Sequence, residues 1–212
     1  MDFSKVKSLT IPEGVVTQIA DASGRVLWKL DTEPKIAYIR PSADISYGAG
    51  LTIVPADAAA IYLLLNEEVA DDSATEIYVE GTESVDVEFE LSGLPNEKIT
   101  KITSVCIGFR YYMNAAGGTE GELTTGGRLY SWCGINGVEY AGHIIGLALG
   151  NGWASTEVDV DSAIIEAINQ YIVANGTFPA LTLRLRMAVV TPEGKSSYLV
   201  GVSQAYVSFE YK

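Results

Sequence analysis

The chain has 212 residues, 48% hydrophobic and 19% charged, and its 14 Lys and Arg against 27 Asp and Glu leave a formal net charge of −13. A chain this apolar is not intrinsically disordered, because disorder needs low hydrophobicity together with high net charge. The acidic balance argues against nucleic acid as the main partner, since phosphates are bound through clustered Lys and Arg.

In chain order, the first seven residues carry no apolar run, so no secretory signal is expected. Leu9 and Ile11 lead into a Pro12-Glu13-Gly14 turn, and residues 15–20 then read as a strand. Asp21-Ala22-Ser23-Gly24 is a turn that needs a positive φ, which Gly24 supplies. Residues 25–30 return as the second strand, with Trp28 on it. Asp31-Thr32-Glu33-Pro34 reads as a linker, because proline disfavours a continued helix and weakens a ladder. These signals divide the chain into a hairpin over residues 1–33 and a main domain over 34–212.

Within the main domain, residues 57–65 form a weak helical pattern. They include the longest apolar run, 58–65, far short of the roughly 20 residues a membrane-spanning helix needs. Residues 77–79 and 127–133 read as short strands. Val85, Val87, Phe89 and Leu91 alternate with Asp86, Glu88 and Glu90, the period-two signature of a half-buried antiparallel strand. Val105, Ile107, Phe109 and Tyr111 form a second such stripe, and Leu183, Leu185, Met187 and Val189 a third. Val207, Phe209 and Tyr211 form a fourth. Asn136-Gly137, flanked by apolar runs, is the strongest short hairpin signal. Residues 161–174 break the rule: Ile164, Ile165, Ile168, Tyr171 and Ile172 follow helical spacing, with Asp161 as N-cap and Asn175-Gly176 as stop. The expected fold is all-β, an antiparallel β-sandwich with one amphipathic helix, preceded by a β-hairpin.

The hairpin exposes Leu9, Ile11, Val15, Ile19, Val26, Leu27 and Trp28. Burying each large side chain is worth roughly 1.5–3 kcal/mol, and a two-stranded ribbon cannot bury both its faces. The hairpin is therefore expected to pack on another chain, with its free strand edges available for β-augmentation.

Three clusters are candidates for chemistry. Residues 41–97 hold 13 of the 27 acids and no Lys or Arg. Within them Asp71 and Asp72 are a weak calcium candidate, since Ca²⁺ takes six to eight oxygen ligands, but their spacing matches no metal-binding frame. No metal and no cofactor is expected, and the stretch reads first as a solvated acidic face. Tyr111, Tyr112, Tyr130, Trp132, Tyr140 and Trp153 fall in a region rich in Gly and Asn. Sugars stack their apolar faces on exposed rings, and Tyr112, Tyr140 and Trp153 are the candidate glycan-binding residues. Tyr130 and Trp132 must share one face, either the core or a platform. His143 is the only histidine, with no nucleophile-elbow motif anywhere, so the chain reads as non-enzymatic. Cys106 and Cys133 read as two buried free thiols rather than a disulfide framework.

The stretch Leu9-Thr10-Ile11-Pro12-Glu13-Gly14, followed by Val16-Thr17-Gln18-Ile19-Ala20-Asp21-Ala22-Ser23-Gly24-Arg25-Val26-Leu27-Trp28-Lys29, resembles a short N-terminal segment of virion proteins of tailed bacteriophages. There, similar hairpins precede quite different C-terminal domains, which implies an attachment module. The remainder is similar to the jelly-roll β-sandwich modules of phage tail and head-fibre proteins, through residues 69–79, 87–95, 99–105, 181–185 and 206–211. The helix over 161–174 is longer than that module has. The resemblance implies a structural virion component, of tail or baseplate fibre type with a host-surface glycan as ligand. The alternatives are a head-fibre or capsid-decoration protein, and a free carbohydrate-binding module. It further implies other virion proteins as partners, assembly in the host cytoplasm, a homo-oligomer of trimeric symmetry, and no catalytic residue or membrane insertion.

Overall fold

A computed structural model describes residues 18–20, 25–29, 34–81, 84–92, 99–115, 123–142, 144–148, 152–189 and 198–212. The chain divides into two compact units, Met1–Glu33 and Pro34–Lys212. In the first, β1 (Gln18–Ala20) and β2 (Val26–Lys29) pair antiparallel, with Ile19 opposite Trp28. Val26 pairs with Ala20, and Leu27 falls at the register shift between these two pairs. Leu9, Ile11, Val15 and Gly24 lie outside the described residues.

The second unit is a β-sandwich. Its strands are β3 (Lys35–Tyr47), β4 (Thr52–Val54), β5 (Glu76–Glu80), β6 (Ser84–Ser92), β7 (Ile102–Ala115), β8 (Leu123–Ile135), β9 (Val138–Ala141), β10 (Ile145–Ala148), β11 (Ala154–Asp159), β12 (Leu181–Ala188) and β13 (Tyr198–Tyr211). Among the described residues every pairing is antiparallel. The first sheet runs β11–β7–β13, and the far side of β13 pairs with β5 and then with the first part of β3, β4 lying on β5. The second runs β8–β12–β6–β3, with β9 and β10 along β8. Strand β3 belongs to both: it pairs with β13 up to Ile39 and with β6 from Arg40 onward. Pro41, which donates no ladder bond, sits at this switch, and two register shifts follow it. Bulges and bends of this kind let one strand turn a sandwich corner.

The core lies between the sheets and follows the alternation read from sequence. Val85, Val87 and Phe89 face Leu183, Leu185 and Met187 across their ladder, and all six are fully buried. Val105, Ile107 and Phe109 of β7 and Val207 and Phe209 of β13 close the other side. Asn136 (φ 51°) and Gly137 (φ 78°) both take the left-handed conformation that the two-residue turn between β8 and β9 demands.

The helical stripe forms α1 (Ala163–Asn175), which buries Ile164, Ile168 and Ile172. The Asp161 carboxylate accepts the Ala163 amide at 3.0 Å, and Gly176 (φ 70°) ends the helix with its amide on the Ile172 carbonyl. Asn169 fastens the helix to the start of β7: its Oδ1 accepts the Ile102 amide at 2.7 Å and its Nδ2 donates to the Ile102 carbonyl at 2.9 Å. Among the described residues no helix is long and apolar enough to cross a membrane.

The helical expectation at 57–65 is corrected. Only one short 3₁₀ turn, Ile61–Leu64, forms there. The Asp44 carboxylate on β3 takes the Ile61 and Tyr62 amides at 2.8 and 2.7 Å, and the Leu65 carbonyl accepts the Ala205 amide at 3.0 Å. The segment fills the gap that β13 leaves between β5 and β3, so tertiary partners replace helical ones.

Candidate functional site: the outer face of the first sheet

The inward stripe of β7 sends Ser104, Cys106, Gly108, Arg110 and Tyr112 to the outer face. Beside them on β13 lie Gly201, Gln204, Tyr206 and Ser208, and on β11 Ser155, Glu157 and Asp159. Two tyrosines each pair with a glycine across the β7–β13 ladder: Tyr112 with Gly201, and Tyr206 with Gly108. A Cβ at Gly201 would lie 2.2 Å from Cε1 of Tyr112, and one at Gly108 2.1 Å from Cζ of Tyr206. Both rings therefore lie down over the neighbouring backbone, and only glycine leaves them room.

Tyr112 anchors the first of two aromatic patches. The Trp153 ring packs against it, centroids 4.4 Å apart at 58°. Arg110, two residues along, grips Asp72 through two parallel contacts, Nε to Oδ1 and Nη2 to Oδ2, the latter 2.8 Å. Its Nη1 also donates to the Ser155 hydroxyl at 3.2 Å. The guanidinium beside Asp72 holds that carboxyl below the usual range. Asp72 reaches Arg110 from a segment tied down on both sides. The Gln204 side chain donates to the carbonyls of Glu67 and Glu68 at 2.8 and 3.0 Å, and Arg40 to that of Glu67 at 3.2 Å. Further along, Asp71 accepts the amide and hydroxyl of Thr75. The second patch sets Tyr206 edge-on to Tyr38 at 5.5 Å, with the Tyr206 hydroxyl on Glu157, which also accepts the Ser208 hydroxyl at 3.2 Å.

Glu76, on β5, is buried and shares a hydrogen bond with the Tyr112 hydroxyl, while its Oε2 has no partner. Burial pushes its carboxyl up, with the Tyr112 bond opposing. A raised acid favours its neutral form when folded, so this group's contribution is greatest at acid pH and is lost as pH rises through the raised value. Glu76→Gln keeps the neutral form at all pH. We expect the variant to be more stable than the parent at pH 7, with the gap closing as pH falls towards 4, read from melting temperatures across that range.

Of the sequence-derived ring candidates, the structure brings Tyr112 and Trp153 together and leaves Tyr140 out. Tyr140 sits on β9 in the second sheet, opposite Cys133, packed against the core. Tyr130 and Trp132 do share a face, and it is the outer one of the second sheet: their rings stack at 6.1 Å and 7°. Arg184 and Arg186 lie over Trp132 at 4.2 and 5.7 Å, held by Glu139 at 3.1 Å and by Asp86 at 2.7 and 2.8 Å. The cations thus occupy the ring face a sugar would use. Asp71 and Asp72 point to different partners, Thr75 and Arg110, and among the described residues no three potential metal ligands converge. His143 lies outside the described residues. Both thiols are free, but only Cys133 is buried. Cys106 is corrected to a half-exposed outer position, donating to Asp159 at 3.4 Å, because it falls on the opposite parity to Val105 and Ile107. Sequence reasoning missed Arg110 and its Asp72 partner, although the β7 stripe had already fixed the parity that puts Arg110 beside Tyr112.

No protein-family model matches the chain, and no curated protein does. Among solved structures it is similar to a family 29 carbohydrate-binding module complexed with mannohexaose, at 10% identity and a TM-score of 0.35 over 84% of this chain and 92% of that one. A structure described as CBM4 matches at 14% identity and a TM-score of 0.32, over 76% and 94% of the two chains. The GH31 module CBM32-2 bound to GalNAc matches at 9% identity and 0.34, over 85% and 99%. Similarity at this level assigns no ligand and no activity to this chain; what stands is an antiparallel β-sandwich with one helix, a second small unit before it, and a paired aromatic face on its outer side.

Proposed function

We propose that residues 34–212 are a non-catalytic glycan-binding module and that residues 1–33 attach it to a larger assembly. The observation that carries the binding reading is the Tyr112–Trp153 pair, partly exposed, with Tyr112 seated on Gly201 and the Ser155 hydroxyl beside it. Aromatic rings offer a sugar an apolar surface for its C–H face, and flanking donors and acceptors fix its hydroxyls. The division of the chain at Glu33 sets residues 1–33 apart as a separate unit, and the second reading is a free glycan-binding module. The resemblance of residues 9–29 to phage virion proteins supplies the setting: a tail, baseplate or head-fibre component that meets host-surface sugars.

A glycan array probed with the full chain tests the binding. The parent should give a defined set of glycan signals, and Trp153→Ala should lower them about tenfold or more, since loss of one stacking ring is worth about 1–2 kcal/mol. An array silent for the parent would exclude the reading.

A further inference from the structure

The bidentate pair beside the aromatic patch carries a statement about which sugars fit. A guanidinium fork matches a carboxylate edge to edge, and an unpaired arginine next to stacking rings is the usual equipment for holding an acidic sugar. Here the fork is filled from within. Asp72 presents both oxygens to Arg110, and the side chains are 27% and 32% exposed, so the pair lies at the surface where a ligand would meet it. Asp72 does this from a left-handed backbone conformation (φ 57°), uncommon outside glycine, on a segment held by Gln204, Arg40 and Thr75 contacts.

We propose that Asp72 is a specificity-determining residue: it occupies Arg110 as a built-in carboxylate, so that the Tyr112–Trp153 face takes neutral sugars and rejects uronic and sialic acids. This rests on the glycan-binding reading above. A tethered carboxylate acts at high effective concentration, so a free acidic sugar competes poorly for the same fork. Its own charge would meanwhile meet that of Asp72.

The test is an array carrying neutral, uronate-containing and sialylated glycans, probed with the full chain, Asp72→Asn, Asp72→Gly and Asp72→Asn/Arg110→Gln. Asp72→Gly suits the left-handed backbone, so agreement between the two single variants separates loss of the carboxylate from loop distortion, and melting temperatures confirm folding. The parent should bind neutral glycans only. Both single variants should raise the ratio of acidic to neutral signal at least tenfold, and the double variant should abolish that gain. Neutral binding by the parent with no gain in either variant overturns the selector role and leaves the glycan reading standing, as does a parent that already prefers acidic sugars. No binding by any of the four proteins overturns both.

Discussion

Phe209→Ala is expected to destabilise the sandwich by about 3–5 kcal/mol, the range for deleting a fully buried aromatic side chain. Phe209 stands at the meeting point of three elements. Its ring stacks on Phe178 at 5.1 Å, just after α1, and meets Tyr211 at 6.1 Å on its own strand. It pairs with Ala37 of β3 and Val105 of β7, so removing it opens a void between the central strand of the first sheet and the helix side of the core. Against a total of about 5–15 kcal/mol for a domain, that is a large share. The melting temperature should fall by roughly 6–20 °C, since 1 kcal/mol moves a domain of this size by a few degrees. A change under 1 kcal/mol in urea denaturation would mean that the described packing around Phe209 is wrong.

Gly201→Val should remove ligand binding while leaving the fold nearly intact. The new Cβ would fall 2.2 Å from Cε1 of Tyr112, far inside any non-bonded carbon contact, so the ring must lift away from β13 and from Trp153. The strand itself accepts valine, a residue with high β-propensity, but lifting Tyr112 takes its hydrogen bond from the buried Glu76 carboxyl, so a loss of about 1–3 kcal/mol with the fold retained is expected. Gly108→Val applies the same displacement to Tyr206 and spares the Tyr112–Trp153 pair. Titration with a glycan bound by the parent should show at least a tenfold loss for Gly201→Val and less than a threefold change for Gly108→Val. Equal losses would place the ligand across both patches rather than on the first.

What the sequence reveals and conceals here has one physical origin. Alternation declares the inner faces, because a buried stripe on β6, β7, β12 and β13 tolerates no charge, and the 3.6-residue period and end signals of α1 are equally local. Turn chemistry is local too, as Asn136 and Gly137 show. The expected helix at 57–65 fails because its partners come from elsewhere: the Asp44 carboxylate and the Ala205 amide, distant in sequence. The candidate site is hidden for the same reason. Tyr112 and Trp153 were legible as rings, but whether they meet depends on the β7–β11 ladder. Tyr140, from the same stretch, lands on the other sheet. Arg110 finds Asp72 across 38 residues, and nothing in the spacing of either announces the pair.

A sugar held at Tyr112 and Trp153 would perturb one indole of the chain and spare the others. The chain has three tryptophans, Trp28, Trp132 and Trp153, and so three indole N–H signals by NMR. Adding the neutral glycan that gives the strongest array signal should shift the Trp153 indole progressively to saturation while those of Trp132 and Trp28 stay in place. Saturable shifts at Trp132 with Trp153 unmoved, or no shift at any of the three, would contradict binding at Tyr112 and Trp153.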